Sequence, residues 1–104
     1  MAYKIEFADT AISHLAALTA RERSTVIDAI EKHLSHEPLV ETRNRKFLRP
    51  NPIASWELRV GSLRAFYDVV PTGLAPDAVS IIRILAVGKK ERNVLRIGGE
   101  GVEL

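Results

Sequence analysis

Two arginines, Arg59 and Arg64, flank a Gly61-Ser62 pair in the run WELRVGSLRAFYDV (residues 56–69). Glycine first suits a two-residue type II′ hairpin turn. With that loop Val60 pairs with Leu63, and Arg59 falls directly opposite Arg64. Like charges directly opposite one another destabilise a sheet. Such a pair is tolerated if an anion is meant to lie between the two side chains. Guanidinium suits that work, because its planar fork grips two phosphate oxygens at once. More cations gather nearby. Arg43, Arg45, Lys46 and Arg49 precede the hairpin, Lys89, Lys90 and Arg92 follow a later apolar run, and Arg83 lies inside that run. Together they outline a concave basic surface, the footprint of a phosphate-bearing ligand. Phe66 among these cations offers a ring face on which a base can stack. A plainer reading stands beside this one. Glu57 and Asp68 lie within diagonal or same-strand reach of Arg64, and a solvated sheet face laced with ion pairs of about 0–1 kcal/mol each has the same composition.

The elements that must position these residues follow from periodicity. YKIEF (3–7) alternates as a half-buried strand. Asp9 or Thr10 caps a short helix with apolar positions Ile12, Leu15, Ala16 and Leu18. Thr19 and Glu22 form a capping box that opens a second helix, carrying Val26, Ile27, Ile30 and Leu34 and stopped at Pro38. Residues 39–54 show no clean period and read as a loop or broken strand. In the hairpin, Trp56, Leu58, Val60, Leu63, Ala65 and Tyr67 share an apolar face that packs under the helices. Glu57, Arg59, Arg64, Phe66 and Asp68 point outward. PTGLAPD (71–77) is a turn, and AVSIIRILAV (78–87) is apolar on both faces, as an interior strand is. The order predicts an α+β domain with an N-terminal strand and a helical hairpin packed on a mainly antiparallel four-stranded sheet. Residues 1–97 form this single domain and 98–104 a flexible C-terminal tail.

Composition narrows the chemistry. The chain has 104 residues and no cysteine, which excludes disulfide scaffolds, thiolate metal sites and cysteine nucleophiles. His14, His33 and His36 fall in the expected helices without a third metal ligand near them. Neither a phosphate-binding glycine loop nor a serine-nucleophile motif is present. No metal or cofactor is expected. The N-terminus lacks the apolar run of a signal peptide and nothing is long enough to span a membrane, so a cytoplasmic protein is expected. Residues 1–42 carry 4 Lys/Arg and 7 Asp/Glu, a net −3, whereas residues 43–104 carry 11 and 6, a net +5. That asymmetry again points to an anionic partner for the second half.

In order along residues 3–96, the strand, helical hairpin, basic loop and the runs WELRVGSLRAFYDV and IIRILAVGKKERN resemble the RelE/ParE superfamily of type II toxin–antitoxin toxins. The most specific parts are Arg59, Gly61, Arg64 and Tyr67, and the run Val87 to Arg92, which is similar to the RelE branch. The resemblance implies a RelE-like microbial ribonuclease fold and a ribosome-dependent mRNA endoribonuclease that inhibits translation without a metal. The 2′-hydroxyl attacks the adjacent phosphate and leaves a 2′,3′-cyclic phosphate. On this resemblance Arg64 stabilises the phosphate, Lys90 matches a basic position after the last strand, and Glu57 is the candidate base. Arg43, Arg45, Lys46, Arg49, Arg59, Phe66, Arg83, Lys89 and Arg92 are the implied RNA-binding residues. Ser55 and Glu57 stand where RelE carries lysines, and Arg96 stands near an expected tyrosine. The implied partners are a cognate antitoxin, the ribosome and mRNA, with operator DNA reached only through the antitoxin complex. A ParE-like gyrase inhibitor, or a non-catalytic relative that only binds an antitoxin or nucleic acid, is the alternative.

Overall fold

A computed structural model describes residues 3–75 and 78–103 of the chain. Pro76 and Asp77 of the expected turn, and Leu104 of the expected tail, lie outside the described residues. Strand β1 (Tyr3–Phe7) leads into helices α1 (Asp9–Ala16) and α2 (Ala20–Leu34). Six strands follow: β2 (Arg45–Phe47), β3 (Trp56–Val60), β4 (Leu63–Pro71), β5 (Ser80–Glu91), β6 (Val94–Ile97) and β7 (Glu100–Val102). The sheet has seven strands rather than the four expected from sequence, in the order β2-β3-β4-β5-β6-β7, with β1 alongside β5. The extra strands are three or four residues long, too short to show a period. Residues Glu100–Val102, read from sequence as tail, pair with β6. The turns that make this possible are Arg92-Asn93 (φ +49° and +67°) and Gly98-Gly99 (φ +61° and +87°). Two successive positive φ values are the type I′ geometry of tight hairpins.

β5 organises the sheet. One edge pairs antiparallel with β4 along its length, from Pro71↔Ser80 to Leu63↔Lys89. The other edge is divided: residues 80–84 pair in parallel with β1, and residues 88–91 pair with β6. All remaining pairs are antiparallel.

α2 opens as its sequence dictates. The Thr19 hydroxyl accepts from the Glu22 N–H (3.1 Å), and the Glu22 carboxylate accepts from the Thr19 N–H (3.0 Å). α1 is different, because Ala8 is the capping residue and no side chain caps the helix. Thr10, one of the two expected caps, donates instead to the Leu85 carbonyl (2.9 Å) and ties the helix to β5. Ile12 stays exposed, while Ala11 and Leu15 turn inward.

The helices cover one sheet face. Leu15, Val26, Ala29, Ile30 and Leu34 pack there on Trp56, Leu58, Leu63, Ala65, Tyr67, Ile82, Ile84 and Val87. Each large apolar side chain removed from water contributes about 1.5–3 kcal/mol. The buried Tyr67 hydroxyl donates to the Pro38 carbonyl (2.6 Å), and the Trp56 ring stacks on Tyr67 with centroids 6.1 Å apart. The opposite face carries a second, smaller core of Ala54, Phe66, Ala86 and Ile97, edged by Leu48, Ile53, Leu85, Leu95 and Val102. Among the described residues, no helix is long and apolar enough to cross a membrane.

Candidate functional site

The β3–β4 hairpin folds with the register its turn requires. Gly61 has φ +58°, Val60 pairs with Leu63, and Arg59 pairs with Arg64. The two guanidiniums lie on the face away from the helices and share one carboxylate. Glu57 Oε1 is 2.5 Å from Arg59 Nε and 3.8 Å from Arg64 Nε. Glu57 thus takes the face its alternation predicts and lines the cleft there, but it is not open to solvent. It is buried, with a side chain only 8% exposed. Arg64 also donates to the Gly61 and Leu63 carbonyls (2.7 and 2.9 Å), which fixes its orientation. Burial lowers the pKa of Arg64 from the ordinary arginine value, Glu57 opposes this, and Arg59 adds to it. Arginine nonetheless remains protonated in proteins. A cation that is largely stripped of water and shares its counter-ion with a neighbour is well placed to accept a further anion.

A β-bulge decides which lysine joins these arginines. The β4–β5 register slips between Phe66↔Ala86 and Tyr67↔Ile84, so Leu85 is the extra residue on β5. A bulge of this kind reverses the alternation of all residues beyond it. Ile82 and Ile84 face the helices before it; Val87 and Lys89 do so after it. Lys89 accordingly meets Glu22 of α2 at 2.8 Å, and Lys90 turns to the arginine face. Without the extra residue the two lysines would exchange faces. α1 secures the bulge from both sides, through Thr10 on the Leu85 carbonyl and through His14 Nδ1, which accepts from the Val87 N–H at 3.3 Å. Burial lowers the pKa of His14, consistent with an unprotonated acceptor nitrogen.

The far wall comes from β6 and β7. At Gly88 the chains approach so closely that a Cβ would lie 2.5 Å from the Arg96 carbonyl oxygen and 2.9 Å from Ile97 Cγ1. Only glycine fits. The result is a cleft of about 400 Å³ lined by Arg49, Glu57, Arg59, Arg64, Lys90 and Asn93, with Leu95, Val102 and Glu103 completing it. Four cations and two carboxylates thus converge on one open space.

Of the residues singled out from sequence, the structure brings Arg49, Glu57, Arg59, Arg64 and Lys90 together. Others go elsewhere. Arg45 stands opposite Leu58 in the β2–β3 register, so it faces the helices. There it donates to the carbonyls of Val40, His33 and His36 and satisfies the end of α2. Phe66 cannot stack on a base, because it is fully buried in the second core. Arg83 is exposed on the same face but farther along the sheet, between Asp68 and Glu6 in register. Lys89 belongs to the helix side. Arg43, Lys46 and Arg92 are exposed and do not line the cleft. Asn93, Leu95, Val102 and Glu103 were missed. The signal that could have found them is the Gly98-Gly99 pair, a hairpin turn inside what reads as a tail. Among the described residues, no three His, Asp or Glu side chains group as a metal site would require.

No protein-family model matches the sequence, and no curated protein matches it. Among solved structures the chain is similar to one in the toxin–antitoxin complex RelBE2 from Mycobacterium tuberculosis. The two are 27% identical with a TM-score of 0.58, over 79% of this chain and 93% of that one. The helical pair, the mainly antiparallel sheet and the order of the elements define an α+β domain. Its fold is that of a RelE-like toxin.

Proposed function

We propose that the protein is the toxin of a type II toxin–antitoxin system, of the RelE branch, and that it cuts mRNA on the ribosome. The observation that carries this reading is the shared Glu57 carboxylate. Among the described residues the facing guanidiniums of Arg59 and Arg64 have one counter-ion between them, and they open onto a cleft that also holds Arg49 and Lys90. A phosphodiester entering there supplies the missing negative charge.

The reaction is attack of a 2′-hydroxyl on the adjacent phosphorus, with departure of the 5′-oxygen. Charge builds on the phosphate's non-bridging oxygens as the fifth bond forms. Arg64 is held by its backbone acceptors and by Glu57, so it meets that charge without reorganising, the arrangement that makes electrostatic stabilisation effective. Lys90, on the neighbouring strand β5, lines the same cleft and gives a proton to the leaving 5′-oxygen. Glu57 acts as the internal counter-ion that sets the two arginines side by side. A cognate antitoxin neutralises the protein by covering this surface, and operator DNA is met only through that complex.

The test is purified protein added to a translating system, with mRNA ends mapped by primer extension, for wild type and Arg64→Ala. Wild type is expected to give cuts in register with codons. Arg64→Ala is expected to lose them by about 10²–10³-fold, the cost of removing one transition-state donor. Equal cutting by both, or none by wild type, rejects the reading. A parallel DNA supercoiling assay separates it from gyrase inhibition.

A further inference from the structure

We infer that Glu103 is the general base that takes the proton from the attacking 2′-hydroxyl, an assignment that rests on the ribonuclease reading above. Two carboxylates line the cleft, and their surroundings differ. Glu57 is almost wholly buried and its Oε1 serves both arginines. A proton placed on it would leave two facing guanidiniums without a counter-charge at the moment the phosphate most needs them positioned. Glu103 is exposed and lines the cleft, and it takes part in none of the ion pairs among the described residues. Its lone pairs are open to a substrate, and protonating it breaks no ion pair among the described residues.

Its position suits the role. β7 pairs Val102 with Leu95, and β5 pairs Lys90 with that same Leu95. Lys90, Leu95 and Val102 therefore form one row across three strands, with Glu103 one residue beyond the row. At about 4.8 Å per strand spacing, the backbones of Lys90 and Val102 are roughly 10 Å apart. That separation admits a phosphodiester between a base just past β7 and an acid on β5, as in-line displacement requires of groups that act on opposite sides of phosphorus. The step balances within these groups. The Glu103 carboxylate takes the 2′-hydroxyl proton as the 2′-oxygen–phosphorus bond forms. The phosphorus–5′-oxygen bond breaks, and the 5′-oxygen takes a proton from the Lys90 ammonium. Solvent later restores both groups.

The experiment compares wild type, Glu103→Gln and Glu103→Asp on mRNA-programmed ribosomes across pH. Affinity is measured on the same message carrying a 2′-deoxy nucleotide at the cut site, which binds but cannot react. Glu103→Gln is expected to slow cleavage by about 10²–10³-fold, within the span of general base catalysis. It should abolish the acidic limb of the pH–rate profile, keep the alkaline limb, and leave affinity for the deoxy message undiminished. Glu103→Asp should recover part of the rate together with the acidic limb. Cleavage by Glu103→Gln within a few-fold of wild type, an unchanged acidic limb, or a loss of affinity that matches the loss of rate overturns the assignment while the ribonuclease reading stands. Absence of cleavage by wild type overturns both.

Discussion

Replacing Glu57 by glutamine tests the electrostatic argument at its centre. The substitution keeps the shape of the side chain and removes its charge. The Arg64–Glu57 contact is 3.8 Å, and both side chains are mostly buried, at 12% and 8% exposure. At an effective dielectric constant near 20 such a pair attracts by about 4 kcal/mol. Part of that is offset because the neutral amide no longer has to shed a carboxylate's hydration. Breaking a buried pair while leaving one charge behind costs about 3 kcal/mol or a little more. The Arg59 contact is shorter, but Arg59 is 44% exposed, so screening holds its share to about 0–1 kcal/mol. A loss of about 3 kcal/mol in a domain of this size lowers Tm by roughly 12–24 °C. Thermal and urea melts measure it directly. Two controls make the cause specific. Removing one of the facing cations as well, in Glu57→Gln/Arg59→Gln, should return about 1 kcal/mol through the coupling between neighbours. Inorganic phosphate should raise the Tm of Glu57→Gln more than that of wild type, because it replaces the lost charge. A Glu57→Gln shift of a degree or two, or equal stabilisation of both proteins by phosphate, refutes the reasoning.

Two further perturbations probe the scaffold that shapes the cleft. Gly88→Ala forces a methyl against the Arg96 carbonyl, so β6 must retreat. Overpacking of this kind costs about 1–3 kcal/mol, read as a lower urea midpoint, and a midpoint unchanged from wild type contradicts the close approach. Acidification should weaken the fold through His14 and His33. Burial lowers the pKa of both, and the charges of Lys32 and Arg45 lower that of His33 further. A base with a depressed folded-state pKa stabilises fully above its unfolded value and loses that contribution as pH falls through it. Stability should therefore decline below about pH 6.5, the ordinary histidine value. His14→Gln, which keeps an acceptor for the Val87 N–H but does not titrate, should flatten this slope, and an identical slope in urea titrations at pH 5.5 and 7.5 counts against the role of His14.

The hairpin was legible because its turn leaves one register: Gly61-Ser62 dictates that Arg59 meets Arg64, and the structure has that pair. The capping box at Thr19 and Glu22 was equally local. What the sequence concealed is non-local. β5 is apolar on both faces, so its period carries no trace of the bulge at Leu85, and the faces taken by Lys89 and Lys90 depend on that bulge. Phe66 reads as an outward residue by alternation, and it does face away from the helices. Only the loop before β3 and the strands after β5 show that this side has a core of its own. Arg45 looks like any other cation of its cluster until the unsatisfied carbonyls at the end of α2 are placed beside it.

The divided edge of β5 bears on how the protein comes into being. Tyr3 through Phe7 have no partner in the sheet until residues 80–84 exist, and both walls of the cleft hang from the same strand. During synthesis the first strand and both helices emerge with an uncovered apolar surface. α2 is covered once β3 and β4 are made, whereas β1 and α1 must wait for β5, since contacts between distant residues are the slow ones to form. A nascent chain that ends before Ser80 has the β3–β4 arginines but neither Lys90 nor the opposing wall. The assembled cleft thus belongs to the finished domain alone.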